Sequence, residues 1–393
     1  MAVKGVFTSD AGIVGDRKGD FAGALLNIVP TGSAQLLALS AGMKSVDAQD
    51  TVITWFEENH ISGRISVTNN ATTGTTFTVD DATIAIAGDI YMVESTGEYV
   101  LCTSISGSDL TVTRGFAGTT NTSIDGSSTP EPIQRVGTAF EEGSAKPNSY
   151  ANLGYPRFNY MQIFRNAWDV TRTARRIAFH TTNDIVAKNR ADGGNMHAED
   201  IERALWFGKK SLGTQNNNPF RTFDGLDAQI TTNVSVQATD VQYTDLRDFL
   251  QGVFERNIKG QPNERLAFCG NTVLGVLDTL ATNWGTMNLQ PGQTDFGMKI
   301  TKWMTPFGDI SLVTHPLFNE SPVWTKDLRV IHPAAVRMRY LDRTFEDSYD
   351  KNGTRAGADA DYGVWTTELS VEYMAEKTGG RYTGIDTADT TNL

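Results

Sequence analysis

Residues 199–211 run Glu199-Asp200-Ile201-Glu202-Arg203-Ala204-Leu205-Trp206-Phe207-Gly208-Lys209-Lys210-Ser211. Ile201, Ala204, Leu205 and Gly208 recur at i, i+3, i+4 and i+7, the spacing that gathers residues on one helical face. Glu199, Asp200 and Glu202 stand in the expected first turn and Lys209 and Lys210 in the last, which suits both ends of a helix dipole. The stretch predicts a helix over 199–211, with a companion helix over 183–190. Its end also echoes a phosphate-binding loop, but that motif requires a glycine five residues before Gly208 and a strand ahead of it. Arg203 holds that position inside a helical pattern, so the echo fails.

Working outward, residues 244–256 repeat the helical spacing through Leu246, Phe249, Leu250 and Val253, and residues 271–280 through Val273, Leu274, Leu277 and Leu280 behind an Asn271 cap. Short strands are expected at 266–269, 310–314 and 328–332, and a final strand at 364–374, where Trp365, Thr367, Leu369, Val371 and Tyr373 alternate. Phe158, Met161, Ile163, Phe164 and Trp168 suggest an extended segment leading into the helical region. Residues 65–118 differ in kind. Phe77 and Val79 alternate with Thr76 and Thr78, and Gly88-Asp89, Thr96-Gly97, Ser106-Gly107 and Arg114-Gly115 cut the stretch at regular intervals. This pattern predicts a small antiparallel β-module with one buried face, followed by a returning loop at 118–132. The first sixty residues show no strong period and read as an arm, with a short helix over 33–43 that Gly42 would end. The class is α+β with a β-rich insertion.

With 39% apolar residues in 393, the chain can bury a normal core. No apolar run approaches the roughly 20 residues a membrane span requires, and the start lacks the apolar stretch of a secretory signal, so a cytoplasmic origin is expected. Cys102 and Cys269 are far apart and share no ligand spacing, which favours two buried thiols over a disulfide framework. A net charge of -12 argues against a dedicated sequence reader of nucleic acid. The charge is segregated: residues 65–131 carry eight acidic residues against Arg114 alone, whereas residues 157–190 carry seven basic residues against Asp169 and Asp184. Such segregation suits complementary subunit contacts, one face toward a polyanion, or simply solvated surfaces of unlike sign.

Catalytic constellations are missing. The five histidines form no H-x-x-x-H or H-E-x-x-H pattern. His197-Ala198-Glu199 has the spacing of a zinc deaminase motif, but no C-x-x-C follows. Asp359-Ala360-Asp361 has two carboxylates at calcium-loop spacing without the remaining ligands, so an exposed acidic turn is the simpler reading. No cofactor and no metal site is expected.

Several stretches stand out in order: Pro30-Thr31, Leu36-Leu37 and Thr54-Trp55-Phe56-Glu57-Glu58, then Asn159-Tyr160-Met161-Gln162-Ile163-Phe164 with Val170-Thr171-Arg172-Thr173-Ala174. Asp200 through Gly208 and Phe223-Asp224-Gly225-Leu226 complete the set. Together they resemble one group of tailed-bacteriophage major capsid proteins. The module, with Leu110-Thr111-Val112-Thr113-Arg114-Gly115-Phe116, is similar to one recurrent in phage virion proteins. The resemblance implies the Hong Kong 97-type fold: an arm at 1–60, and an extended loop at 61–156 carrying the module. It further implies a peripheral domain at 157–224 and 334–393 with a spine helix within 183–211, and an axial domain at 225–333.

On that reading the chain is a shell subunit and not an enzyme. It would assemble with itself into hexamers and pentamers, and meet portal, scaffold and decoration proteins in the virion, with no membrane contact. Leu36, Leu37, Leu39 and Trp55 would contact neighbouring subunits, and Arg172, Arg175 and Arg176 would face packaged double-stranded DNA or a neighbour's acids. The acidic module would project outward. The rival readings are another virion component (tail, fibre or decoration protein), an encapsulin-like compartment shell, and a hydrolase with an attached β-module.

Overall fold

The helix expected at 199–211 is the C-terminal half of one 23-residue helix, Ile185–Phe207. The structure is a computed structural model that describes residues 43–58, 60, 62–149, 153–177, 184–284, 289–295, 298–349 and 359–388. The helix starts at Asp184, whose carboxylate accepts the Val186 and Ala187 amides at 2.9 and 3.1 Å. It ends at Gly208, so Glu199 and Asp200 lie mid-helix and Lys209 and Lys210 lie beyond the last turn, contrary to the dipole reading. Gly193 and Gly194, in the stretch between the two expected helices, sit inside it. Added Cβ atoms there would lie 3.3 Å from the Trp168 Cβ and 3.5 Å from the Trp365 ring. The two glycines cost about 1 kcal/mol each in helix propensity relative to Ala and let two indoles approach the helix backbone.

The chain forms two units: residues 1–55 with 157–393, and residues 56–156. In the larger unit a four-stranded sheet runs Lys44–Asp47, Val336–Tyr349, Ala360–Tyr373, Gln162–Thr171 in spatial order. Alternation along Gln162–Thr171 turns Phe164, Trp168 and Val170 inward. The long helix packs on this sheet, and one core joins Phe164, Ile201, Leu205, Trp206, Leu369 and Val371. A seven-stranded mixed sheet follows, with Glu264–Cys269 at its centre, parallel to Asp309–Thr314 and antiparallel to Leu328–Ile331. Helices Tyr243–Phe254 and Asn271–Trp284 bury Leu246, Leu250, Val253, Val273 and Leu277 against it. Trp206 links the helix to this second sheet, edge-on to Phe268 and Phe318 at 5.0 and 5.2 Å. The α+β class expected from the sequence is the class observed. The strand at Val336–Tyr349 and the hairpin Ser211–Gln215/Asn218–Thr222 had not been expected; the hairpin turns on Asn216 and Asn217, both with positive φ.

The smaller unit is built on six strands in the order Arg64–Val67, Glu131–Thr138, Asp89–Val93, Tyr99–Ser106, Asp109–Thr113, Thr76–Thr78. A bridge between Val67 and Val79 joins the first strand to the end of the last and closes the sheet on itself. Closure removes the free edges that an open sheet would leave. Ile65, Phe77, Tyr91, Val93, Val100, Cys102, Leu110 and Ile133 fill its interior. This unit runs past residue 118: Glu131–Thr138 is an inner strand, within the region read as loop and beyond it. Its three arginines are all engaged, Arg64 with Glu94, Arg135 with Asp89 and Arg114 with Glu98. The surface is left strongly acidic.

Candidate assembly and nucleic-acid surfaces

Leu36, Leu37 and Leu39 lie outside the described residues, as does the expected helix over 33–43 except Met43, which is buried in the first core. Trp55 faces inward at 6% exposure, packed with Ile53 and Met161, because Val52–Glu57 alternates strictly. Its neighbour Phe56, 70% exposed, is the aromatic that this strand offers to the surface. Other large apolar side chains stand in solvent on the larger unit, among them Ile163, Leu212, Phe220, Val236 and Val323. The exposed Val236 and Val323 flank an open cavity of about 490 Å³, walled by Trp324 and floored by Arg329. Trp324 stacks on Phe207 at 4.1 Å, which holds that wall in place.

The basic stretch is folded onto acids of its own chain. Thr171 caps a short helix, Arg172–Arg176, by accepting the Ala174 amide at 3.3 Å. Arg172 reaches Asp359 at 2.7 Å and Arg175 reaches Asp361 at 2.5 Å, while Arg176 makes no ion pair among the described residues. Asp359 and Asp361, whose spacing had suggested a calcium loop, are thus taken by arginines at the start of Ala360–Tyr373. No cluster of metal-binding side chains occurs among the described residues, and no helix there is long and apolar enough to cross a membrane.

His197 is a packing group. Its Nδ1 lies 2.8 Å from Asn166 Oδ1 and its Nε2 2.7 Å from Thr367 Oγ1. Asn166 donates onward to Asp200, and Thr367, whose one hydroxyl hydrogen goes to the ring, accepts from the Thr344 hydroxyl 2.8 Å away. This chain of hydrogen bonds pins the long helix to three strands of the four-stranded sheet; burial lowers the His197 pKa, as suits a neutral ring. Glu202, one turn on, meets His315 Nε2 at 3.2 Å with both side chains fully buried. Sequence reading missed this pair, since Glu202 looked like an ordinary helix acid. The only available signal was its place between Ile201 and Leu205 on the inward face.

The SU10 major capsid protein family matches residues 5–386. The major capsid protein of Pseudomonas phage PaMx41 is 28% identical over 389 residues, covering 94% of this chain and 92% of that one. The capsid of Myoviridae phage XM1 aligns over 95% of this chain and all of that one, at 11% identity and a TM-score of 0.48. The SrpI encapsulin of Synechococcus elongatus PCC 7942 aligns over 62% of this chain and 81% of that one, at 11% identity and a TM-score of 0.44. The family match covers nearly the whole chain, both sheets and the inserted barrel included, and it separates the capsid reading from the tail, compartment and hydrolase readings. The chain belongs to the SU10 major capsid protein family: it has the α+β, Hong Kong 97-type fold and is a structural subunit of a tailed-phage head shell, not an enzyme.

Proposed function

We propose that copies of this chain close into hexamers and pentamers, with residues 1–60 as an arm and residues 61–156 as a loop built around the barrel. On the same reading the long helix is the spine of a peripheral domain (157–224 and 334–393), and 225–333 form the axial domain. The observation that carries this reading is the division of the chain into a self-contained barrel and a larger two-sheet unit that leaves large apolar side chains uncovered. Exposed apolar area gains about 25 cal/mol per Å² when a neighbour covers it, and repeated contacts of this kind close into symmetric shells. Leu36, Leu37, Leu39 and Trp55 belong to the arm region, and Phe56 is its exposed aromatic in the described residues.

Arg176, together with Arg172 and Arg175 when their acids are displaced, supplies phosphate contacts to packaged DNA, independent of base sequence and weakened by salt. The acidic barrel, repelled by DNA, faces outward, where a decoration protein would meet it. Portal and scaffold proteins are further partners, met in the host cytoplasm during assembly. Size-exclusion chromatography and negative-stain electron microscopy of the chain expressed alone test the assembly reading. Closed particles, rings or hexagonal sheets support it; a monomer unchanged by concentration or salt opposes it.

A further inference from the structure

The chain crosses between the two sheets of the larger unit at several points, and two crossings meet at one buried polar cluster. Strand Leu328–Ile331 of the seven-stranded sheet passes through the turn Pro333–Ala335 into Val336–Tyr349 of the four-stranded sheet. Ala360–Tyr373 returns through Glu376–Thr378 to Gly380–Thr383. His332, 2% exposed, caps the first crossing: its Nδ1 accepts the Ala334 N–H at 3.2 Å, with Pro333 opening the turn. Its Nε2 lies 3.2 Å from Asn257 Oδ1, an atom that only accepts. The ring hydrogen therefore sits on Nε2, and Nδ1 is the bare acceptor of a neutral imidazole. Arg265, 1% exposed, donates through Nε to the Thr378 carbonyl at the second crossing, 2.8 Å, and through Nη1 to the same Asn257 Oδ1, 3.4 Å.

We propose that His332 is an acid-labile latch between the two sheets: a proton on Nδ1 turns the capping acceptor into a donor aimed at the Ala334 N–H, beside a buried guanidinium, and so frees both crossings. The groups around the ring offer that charge little relief. Arg265 faces it from Glu264–Cys269, and Asn257 and the Pro262 carbonyl from the segment after helix Tyr243–Phe254. Tyr373 contributes a buried phenol from Ala360–Tyr373. The acid at the second crossing, Glu376, is taken by the amides of Thr231 and Thr232, the Thr232 hydroxyl, and Arg157 at 3.8 Å.

His315 is the matched contrast. It caps Pro316–Glu320 in the same way, accepting the Leu317 amide at 3.3 Å, but its Nε2 meets the carboxylate of Glu202. The His315 ring thus faces a carboxylate, whereas the His332 ring faces a guanidinium. Burial first, and Arg265 second, hold the His332 pKa down to about 4 from the ordinary 6.5. A depressed histidine contributes stability that is complete above the unfolded value and is lost as pH falls toward the folded one.

Hydrogen exchange of the full chain between pH 7 and pH 4, corrected for intrinsic exchange, tests the latch. Protection at residues 331–336 and 373–380 should fall up to about tenfold per pH unit below 6.5, while residues 315–320 change far less. His332→Asn, which retains a capping oxygen without a titrating ring, should flatten that slope. The latch is overturned by pH-independent protection at the two crossings, by an equal loss around 315–320, or by an unchanged slope in H332N. If H332N does not fold, the wild-type comparison of the three segments decides alone. The measurement needs no assembled shell, so its failure would leave the capsid reading standing.

Discussion

Arg114 and Glu98 form a buried ion pair in the barrel, 2.7 Å apart with side-chain exposures of 3% and 0%. The guanidinium also donates to the carbonyls of Ala71, Gly74 and Thr122, and lies over the Phe77 ring. The carboxylate accepts the Gly115 amide at 3.0 Å and both the amide and hydroxyl of Thr122 at 3.1 Å. One pair thus ties three loops together, with Gly115 and Gly118 at positive φ making the turn that brings Thr122 within reach.

Replacing one partner leaves the other charge buried and uncompensated, which typically costs 3–5 kcal/mol. Arg114→Met should therefore melt the barrel well below the larger unit. Differential scanning calorimetry would show a new low-temperature transition; a single transition at the wild-type temperature would contradict this.

Acid should weaken the same site. Burial raises the Glu98 pKa, but the hydrogen bonds from Arg114, Thr122 and Gly115 outweigh it and lower the value to about 2 from 4.5. The contribution of these hydrogen bonds together, on the order of 3 kcal/mol, is complete above pH 4.5 and is lost as pH falls toward 2. Urea midpoints of barrel unfolding should decline across that window in the wild type, and far less in Glu98→Gln, which starts lower.

Gly363 tests the seating of Trp168. A Cβ at this position would lie 2.7–2.9 Å from atoms of the indole, whose Nε1 is held by Glu346 at 2.8 Å. Gly363→Ala should destabilise the larger unit by about 1–3 kcal/mol through overpacking, and denaturant melts followed by tryptophan fluorescence would register the shift. Gly97 has nothing within 4 Å of its added Cβ, but its positive φ makes Gly97→Ala a test of backbone strain instead.

His197→Leu should cost about 1–3 kcal/mol, because Asn166 and Thr367 each lose a buried partner. Zinc content, measured by mass spectrometry of the metal, should be negligible in both proteins. A stoichiometric metal lost with the substitution would revive the deaminase-like reading.

Arg176→Ala should reduce the affinity of the free chain for duplex DNA of any sequence and flatten its salt dependence by nearly one unit of log-log slope. Arg172→Ala should do less, since Asp359 already pairs with Arg172. Fluorescence anisotropy across a salt series separates these outcomes, and equal slopes in all three proteins would remove Arg176 from the DNA-facing set.

Local patterns in the sequence carried much of the fold. Alternation marked the barrel strands between 76 and 113 and most of Ala360–Tyr373, but not Glu131–Thr138, and apolar spacing marked the helices at 243–254 and 271–284, because these signals reside in residues a few positions apart. The long helix was half legible: helices were expected at 183–190 and 199–211, and the stretch between them, with Gly193 and Gly194, joins them against Trp168 and Trp365, distant in sequence. The strand Val336–Tyr349 was hidden because two register shifts interrupt its alternation.

The site was legible mainly through what it lacked. That the sequence carries no recognisable catalytic motif, and that its ordered stretches resemble those of capsid subunits, followed from residue types and order alone. Which arginine stays outside the ion pairs, which aromatic of Trp55-Phe56 faces out, and which histidine cap meets an acid were decided only by the tertiary structure. Each depends on a partner brought from more than a hundred residues away or on the side of a strand that faces the core. Asp359 and Asp361 reach Arg172 and Arg175, Glu202 reaches His315, and such pairings arise from sheet register and helix packing, which no local spacing encodes.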